Sequence, residues 1–226
     1  MRYEAIIWDC DGVLIDSEAL ACSVEVKILE DLGYKIPLED YYRKFLGKSP
    51  AQMFDEIERE TGLKLEKSFP NDLLLARQKE IYSQSLQATA GIRDVLDALN
   101  IPMAVASGSN PELLGYALGL TNLAECFNGH IYSAELVKKG KPAPDIFLHA
   151  AGKLNVPPER CLVVEDSIHG INAAKAAGMD VYAYLGGSHM TQKMREDLLN
   201  MEVQASLNHM QELLPLLHVQ PKTAAG

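Results

Sequence analysis

The sequence predicts an α/β fold in which a parallel sheet, covered by helices on both faces, carries an inserted all-helical domain. Four short apolar segments predict buried strands, and each is followed by a pattern typical of a helix. These segments are EAIIWD, PMAVASG, ERCLVVEDS and DVYAYLGG. Strands that alternate with helices in this way indicate a Rossmann-like sheet core.

The stretch between the first two strands breaks this alternation. From Ser17 to about Leu86 it contains four helical patterns and no comparable strand. Because a crossover between parallel strands needs only about a dozen residues, we expect residues 16–86 to form a small helical domain inserted in a core of residues 1–15 and 87–218. Residues 219–226 lack periodicity and are predicted to be a disordered tail.

The composition excludes several classes of protein. The 226 residues carry 21 Lys and Arg against 31 Asp and Glu, a net charge of -10, which is the wrong sign for broad contact with nucleic acid or anionic membrane. No stretch approaches the roughly 18 apolar residues of a membrane helix, and the acidic start argues against a secretory signal. The four cysteines stand in unrelated contexts that suit reduced thiols. We therefore expect a cytoplasmic protein without a nucleic-acid or membrane partner.

The first strand ends in two carboxylates. Alternation along an extended chain puts Asp9 and Asp11 on one face, about 6 to 7 Å apart, with Cys10 pointing away. Such carboxylates repel unless a divalent cation or a shared proton separates their roles, and either arrangement yields a nucleophile beside an acid/base. The alternative is a structural turn closed by Gly12.

The second strand ends in Ser107 and Gly108, ahead of Asn110 and Pro111. Asn110 is predicted to cap the next helix, because proline is favoured at the first helical position. The Ser107 hydroxyl and the following N–H groups are then available to hold a phosphate at the helix N-terminus. Ordinary turn chemistry is the alternative.

Lys141 stands just before the helical pattern DIFLHAAGKL. A cation at that position opposes the helix dipole. A residue that breaks a local rule in an otherwise consistent sequence is a candidate functional residue. The alternative is a solvated loop lysine that follows Lys138 and Lys139.

The strand CLVV runs into Glu165, Asp166 and Ser167. Either Asp166 or Ser167 is able to cap the next helix. A cap needs only one short polar side chain, however, and two acids at the end of a buried strand are costly unless a metal or another cation compensates them. His169 is the one histidine expected near this edge, and we expect it on the helix surface.

These four clusters are expected at the carboxyl ends of parallel strands, the edge where ligands bind in open α/β sheets. The acids offer hard oxygen ligands for Mg²⁺ and a nucleophile, while the hydroxyl and the lysine offer donors for phosphate oxygens. Together they indicate phosphoryl transfer.

The same motifs resemble those of the haloacid dehalogenase (HAD) superfamily, in the branch of β-phosphoglucomutase and the small sugar phosphatases. The matching segments are DCDGVLIDSE, VASGS, KGKPAPDIF and VVEDSIHGINAAKAAGM. They follow the family's order, and the helical insertion stands where the family carries its cap domain.

The resemblance implies a role for each residue of the predicted site. Asp9 would attack phosphorus and form an aspartyl-phosphate, while Asp11 would protonate the leaving oxygen and then deprotonate water. Mg²⁺ would be held by the Asp9 carboxylate, the Asp11 carbonyl and Asp166, with Glu165 as a ligand or a support. Residues that would hold the transferring phosphoryl group are Ser107, Gly108 and Lys141.

Substrate choice is expected in the helical insertion, where the segment from Arg43 to Ser49 resembles the family's cap loop. Arg43 and Lys48 are predicted to pair with a carboxylate or with sugar hydroxyls. The alternative is a solvated basic turn between helices.

The predicted function is a Mg²⁺-dependent phosphatase, monomeric or weakly dimeric, acting on a small sugar or sugar-acid phosphate such as 6-phosphogluconate. A phosphosugar mutase is one alternative, since Val13 is shared with mutase-like members, although Ala21 stands where the mutase motif has a histidine. A non-enzymatic, receiver-like phospho-ligand module is another, although receivers lack a cap.

Overall fold

The computed structural model describes residues 2–45, 50–66 and 68–219. Its described part contains one six-stranded sheet in which every neighbouring pair is parallel, with the strand order β3-β2-β1-β4-β5-β6. The strands are β1 (Ala5–Trp8), β2 (Met103–Ser107), β3 (Ile131–Ser133), β4 (Cys161–Glu165), β5 (Asp180–Tyr184) and β6 (Ala205–Leu207). The predicted α/β class is confirmed, and β3 and β6 are additions to the four strands expected.

Ten α-helices lie in the described residues. They are α1 (Glu18–Asp31), α2 (Leu38–Phe45), α3 (Pro50–Thr61), α4 (Asn71–Ser85), α5 (Ile92–Ala98), α6 (Pro111–Leu120), α7 (Asp145–Leu154), α8 (Ile168–Ala176), α9 (Gln192–Leu199) and α10 (Leu213–Leu216). Short 3-10 turns lie at Ala124–Phe127, Ala134–Leu136, Pro158–Arg160 and Met210–Glu212. None of the helices within these ranges has the length and apolar character needed to cross a bilayer.

The chain divides into two compact units. One comprises Met1–Asp16 and Leu86–Gly226 and contains the sheet, and the other is Ser17–Ser85 and contains α1 to α4. The helical unit has its own apolar core, to which α1, α2 and α3 contribute Ile28, Phe45 and Phe54. Of the predicted tail, residues 220–226 lie outside the described part of the chain.

The sheet is buried because its strands are apolar on both faces. Ile7 and Val163 belong to the apolar cluster that includes Phe147 of α7 and Ile171 of α8. Trp8, which alternates with Ile7, is also fully buried. Continuous apolar strands of this kind are expected where a parallel sheet is shielded on both sides.

Strand order and helix caps together place the polar residues. The central strand β1 lies between β2 and β4, with Trp8 paired to Val105 on one side and to Val164 on the other. The carboxyl ends of these three strands are therefore neighbours. Asn110 caps α6 as predicted, by accepting from the N–H groups of residues 112 and 113, and Ser167 caps α8. The chain order reverses at β1, a position where ligands bind in such sheets.

Candidate active site

A buried lysine joins the ends of β1 and β4. The Nζ atom of Lys141 lies 2.5 Å from Asp9 Oδ1 and 2.6 Å from Glu165 Oε1, and it also lies 5.0 Å from the centroid of the Phe147 ring. All three charged side chains are at least nearly buried, with exposed fractions of 11%, 10% and 0%. Lys141 is therefore an internal counterion and not a solvated loop residue.

Glu165 also organises the start of α8. Its Oε2 atom accepts hydrogen bonds from the N–H of Asp166, the N–H of Ser167 and the Ser167 hydroxyl, at 3.0, 3.0 and 2.9 Å. A Cβ at Gly170 would lie only 1.7 Å from Glu165 Oε1, so the glycine leaves the space that the carboxylate occupies. Both oxygens of Glu165 thus have protein partners, one with Lys141 and one at the helix N-terminus.

Two serines hold the carboxylate of Asp11. Its Oδ2 atom accepts from the Ser109 hydroxyl at 2.6 Å and lies 3.2 Å from the Ser107 hydroxyl. Ser107 Oγ in turn accepts from the Ser109 N–H at 3.0 Å, and the Ser133 hydroxyl at the end of β3 donates to the Ser109 carbonyl at 2.6 Å. Gly108 is exposed between the two serines. The sequence indicated Ser107 but not Ser109, whose hydroxyl reaches Asp11 only through the fold.

Negative charge dominates this cluster. Burial raises the pKa of Asp9 well above its ordinary value; Glu165 adds to that effect, and Lys141 opposes it. Burial and Glu165 likewise raise the pKa of Asp166. Burial by itself lowers the pKa of Lys141, but Asp9 and Glu165 outweigh that effect and the net pKa is raised. The lysine is therefore firmly cationic and leaves part of the carboxylate charge uncompensated.

The site fits a divalent metal ion. Asp9, Glu165 and Asp166 each offer a carboxylate oxygen, and these atoms lie within 4.8 Å of one another. Among the described residues, the buried Oδ2 atom of Asp166 has no hydrogen-bond partner. Three buried carboxylates facing one lysine leave an excess of negative charge, and hard oxygen donors are the ligands that Mg²⁺ prefers.

A histidine that the sequence did not indicate borders the same carboxylate. His189 Nε2 lies 3.2 Å from Asp166 Oδ2, at ion-pair distance although outside hydrogen-bond geometry, and both side chains are buried. His169, the histidine expected near this edge, is exposed on α8. The one sequence signal for His189 is its place in a glycine-rich loop after β5, at the carboxyl edge of the sheet.

Of the two basic residues predicted to contact substrate from the helical unit, Arg43 lies within the described residues. Arg43 is exposed on α2, where its guanidinium lies 2.6 Å from Asp40. Lys48 lies outside the described residues. The proposed substrate contacts of both remain predictions.

Known proteins resemble this chain in sequence and in fold. The family described as haloacid dehalogenase-like hydrolase matches residues 3–178. The chain is 29% identical to 6-phosphogluconate phosphatase of Escherichia coli over 83% of its length and 85% of that protein. It is 30% identical to a phosphorylated carbohydrates phosphatase of Thermotoga maritima over 78% of its length and 82% of that protein. A haloacid dehalogenase-like protein of unknown function from Agrobacterium tumefaciens superposes with a TM-score of 0.85 at 33% identity, covering 96% of this chain and 98% of that one.

Proposed function

This chain belongs to the haloacid dehalogenase-like hydrolase family, and we propose its function from that premise. The chain is therefore an enzyme of the hydrolase class, and the family predicted from its motifs is confirmed. Our proposal is that it is a Mg²⁺-dependent phosphatase that hydrolyses a small sugar or sugar-acid phosphate through an aspartyl-phosphate on Asp9.

The observation that carries this proposal is the pairing of Asp9 and Asp11 with different partners. Lys141 holds the Asp9 carboxylate at 2.5 Å, which orients the side chain for attack on phosphorus and opposes the effect of burial on its pKa. Asp11 instead accepts from serine hydroxyls and is partly exposed, so it can exchange a proton with substrate and water. Two carboxylates in different environments are the usual basis for separating a nucleophile from an acid/base.

The chemistry then follows in two steps. An Asp9 oxygen forms a bond to phosphorus as the bond to the leaving oxygen breaks, and Asp11 gives that oxygen its proton. Water next attacks the aspartyl-phosphate, Asp11 accepts the water proton, and inorganic phosphate leaves with Asp9 regenerated. Ser107, Gly108 and Lys141 would hold the phosphoryl oxygens. Positioning and charge neutralisation supply most of the rate acceleration in such reactions.

Residues for Mg²⁺ are assigned from the donors described above. We assign the Asp9 and Asp166 carboxylates as ligands, and the Asp11 carbonyl as a further ligand because the family resemblance implies it. Glu165 would support them, because both of its oxygens already have protein partners. When bound, Mg²⁺ would neutralise negative charge on the phosphoryl oxygens.

The substrate class is proposed from the relatives. Two of the relatives matched over most of this chain are a 6-phosphogluconate phosphatase and a phosphorylated carbohydrates phosphatase, so a phosphorylated sugar or sugar acid is the expected substrate. Selection among these would rest with the helical unit, including Arg43 and Lys48. A valine shared with mutases carries little weight for the mutase alternative, since Val13 is fully buried and serves packing.

The test is phosphate release by the purified chain with Mg²⁺ from an aryl phosphate, 6-phosphogluconate, glucose phosphates and phosphoglycolate. We expect release from a sugar or sugar-acid phosphate, its loss in EDTA, and its loss in Asp9→Asn. Asp94→Asn, on the exposed surface of α5, is the matched control and should retain activity. Full activity of Asp9→Asn would exclude the aspartyl-phosphate, glucose-phosphate isomerisation would favour the mutase, and binding without turnover would favour the receiver-like module.

A further inference from the structure

We propose that His189 is a positioning residue for Asp166, and that its imidazole increases the affinity of the site for Mg²⁺ by holding this carboxylate in place. The inference rests on the function proposed above, which assigns Asp166 to the metal. It concerns a residue that none of the sequence motifs includes.

The contact with Asp166 is close and shielded from solvent. Nε2 of His189 lies 3.2 Å from Asp166 Oδ2, and the exposed fractions of the two side chains are 3% and 6%. Two acceptor atoms so close would repel, so we assign a proton to Nε2, in either the neutral or the cationic form of the imidazole. The contact is then an electrostatic attraction, because the N–H is not aligned with Oδ2 as a hydrogen bond. A carboxylate oxygen has two lone-pair directions, so this contact leaves Asp166 able to bind a metal ion.

His189 contacts a carboxylate that Lys141 does not. The ion pairs of Lys141 in the described part of the chain are with Asp9 and Glu165. Among the described residues, His189 is the basic side chain that lies at ion-pair distance from Asp166. Lys141 therefore contacts two carboxylates of the acidic cluster, and His189 contacts the third.

Packing against glycines fixes the imidazole. A Cβ at Gly12 would lie 2.8 Å from the Cε1 atom of His189, and a Cβ at Gly187 would lie 2.5 Å from it. Gly12 belongs to the loop that carries Asp9 and Asp11, and the same Cβ would lie 1.9 Å from Asp166 Oδ2. The ring thus fills the space between the loop after β5 and the loop after β1.

The loop that carries His189 is anchored on both sides of it. The N–H and hydroxyl of Ser188 both donate to Asp16 Oδ1, at 3.2 and 2.7 Å. A hydrogen bond of 3.1 Å from the Met190 N–H to the Gly187 carbonyl closes the turn, and Met190 is buried in the core of the sheet unit. An imidazole held this firmly can restrict the rotation of Asp166.

Partners that orient metal ligands typically change metal affinity by about 10- to 100-fold when they are removed. An Asp166 without its neighbour would rotate more freely and would have to be ordered when Mg²⁺ binds. We expect the effect in the binding of Mg²⁺ itself, before any substrate is present.

The experiment compares His189→Leu with His189→Gln in the full chain. Leucine removes the N–H at similar size, whereas the glutamine amide restores a donor near the position of Nε2. Mg²⁺ binding is measured by titration calorimetry without substrate, and the free energy of unfolding is measured by urea denaturation in EDTA. The control is His209→Ala, because His209 is exposed; His189→Ala replaces the leucine variant if that does not fold.

We expect Mg²⁺ affinity to fall by about 10- to 100-fold in His189→Leu, to recover at least in part in His189→Gln, and to stay unchanged in His209→Ala. Wild-type affinity in a folded His189→Leu or His189→Ala would overturn the inference and leave the proposed function intact. Equal losses of affinity in the leucine and glutamine variants would overturn it too, because they would indicate loop packing alone. A wild-type chain that binds no Mg²⁺ would overturn both.

Discussion

At the residue scale, Lys141 decides how the acidic cluster can be buried. It contacts Asp9 and Glu165 at once, and burying carboxylates without such compensation costs several kcal/mol per charge. Its position before α7, which opposes the helix dipole, is explained by this contact, because a local penalty of about 0.3–1 kcal/mol is small beside the energy of an uncompensated buried pair.

Replacing Lys141 by methionine should therefore damage both stability and activity. We expect Lys141→Met to lower the free energy of unfolding in EDTA by about 3–5 kcal/mol, the usual result of removing one partner from a buried ion pair. We also expect it to reduce the rate of phosphate release by about 100-fold or more. The measurements are urea denaturation and a phosphate assay. Lys139→Met, in the exposed part of the same loop, should change neither by much, and near-normal stability of Lys141→Met would contradict the counterion role.

Gly12 has a φ of +78° and no room for a Cβ, which would lie 1.9 Å from Asp166 Oδ2. Gly178 has a φ of +75°, but a Cβ there would meet no described atom within 4 Å. Alanine at either position adds a left-handed backbone cost of about 1–2 kcal/mol, and only Gly12→Ala should also displace Asp166.

We therefore expect Gly178→Ala to lose about 1–2 kcal/mol of stability with normal Mg²⁺ affinity, and Gly12→Ala to lose more stability and most of its metal binding. Urea denaturation and calorimetry separate the two effects. Equal Mg²⁺ affinity in both variants would show that the space at Gly12 does not matter to Asp166.

Residues that follow strands could be predicted from the sequence, whereas residues that reach the site by packing could not. Asp9 and Asp166 follow apolar strands, Ser107 is the last residue of one, and the parallel sheet brings them to one edge. Ser109 and His189 contact Asp11 and Asp166 through hydroxyl and ring positions set by tertiary structure. No periodicity in the sequence encodes those contacts.

At the element scale, α8 begins at a carboxylate. Glu165 accepts from two N–H groups at the start of this helix, an arrangement that the helix dipole favours, and it leaves no room for a side chain at Gly170. Gly152 lies in α7, and a Cβ there would meet no described atom within 4 Å. Alanine substitutions at Gly152 and at Gly170 therefore separate the helix propensity of alanine from the steric cost of its Cβ.

Gly152→Ala should stabilise the protein by up to about 1 kcal/mol, because alanine is the better helix former. Gly170→Ala should destabilise it despite the same gain in propensity, because its Cβ would lie 1.7 Å from Glu165 Oε1. It should also lower activity, since Glu165 would move from Lys141. Thermal or urea unfolding of both variants tests this, and a stabilised, fully active Gly170→Ala would be the contrary result.

In the helical unit, a partly buried carboxyl of α1 contacts α2. The Tyr41 hydroxyl donates to Glu25, and burial raises the pKa of Glu25 above its ordinary value, although the tyrosine hydrogen bond opposes the shift. A carboxyl with a raised folded pKa keeps its proton longer in the folded chain than in the unfolded chain. Its effect on stability is therefore most favourable at low pH and is lost as the pH rises through the folded pKa.

Glu25→Gln should remove this dependence while keeping an acceptor for Tyr41. We expect the variant to gain stability relative to the wild-type chain as the pH rises from about 4.5, with a slope no steeper than about 1.4 kcal/mol per pH unit for one proton. Glu30→Gln is the control of opposite sign, because Lys27 lowers the pKa of Glu30. Urea denaturation at several pH values in EDTA measures both, and a flat difference for Glu25→Gln would contradict the expectation.

The strands β3 and β6 were not predicted from the sequence because they are short. The four predicted strands are runs of four or five residues, whereas β3 and β6 contain three residues each, IYS and ASL. Runs so short carry no period of their own. They are strands because β2 and β5 offer them backbone partners, and single-sequence patterns do not contain that context.

At the scale of the whole molecule, the net charge is -10, whereas the proposed site needs local positive charge to bind a phosphate. The cluster around Asp9 is itself acidic, so a phosphorylated substrate requires local cations. Lys141 supplies one, and a bound divalent ion would supply the rest. The global charge argues against a broad electrostatic partner, but it does not describe the site.

The division into two units leads to a prediction about where Mg²⁺ acts. All of the ligands that we assign, Asp9, Asp11 and Asp166, lie in the unit that contains the sheet, and the helical unit has a separate apolar core. Binding at about 100 times the dissociation constant adds roughly 2.7 kcal/mol to the stability of the structure that binds. That energy should appear mainly in the sheet unit.

Hydrogen exchange followed by mass spectrometry, with and without saturating Mg²⁺, measures this distribution. We expect slower exchange in peptides that cover the loop after β1, the start of α8 and the turn at Gly187–Met190, because the metal and His189 hold these segments together. Peptides from α1 and α2 serve as an internal control and should change little, because they contribute no ligand. Equal slowing in both sets would show that the two units unfold as one, and no slowing around Asp166 would place the metal elsewhere.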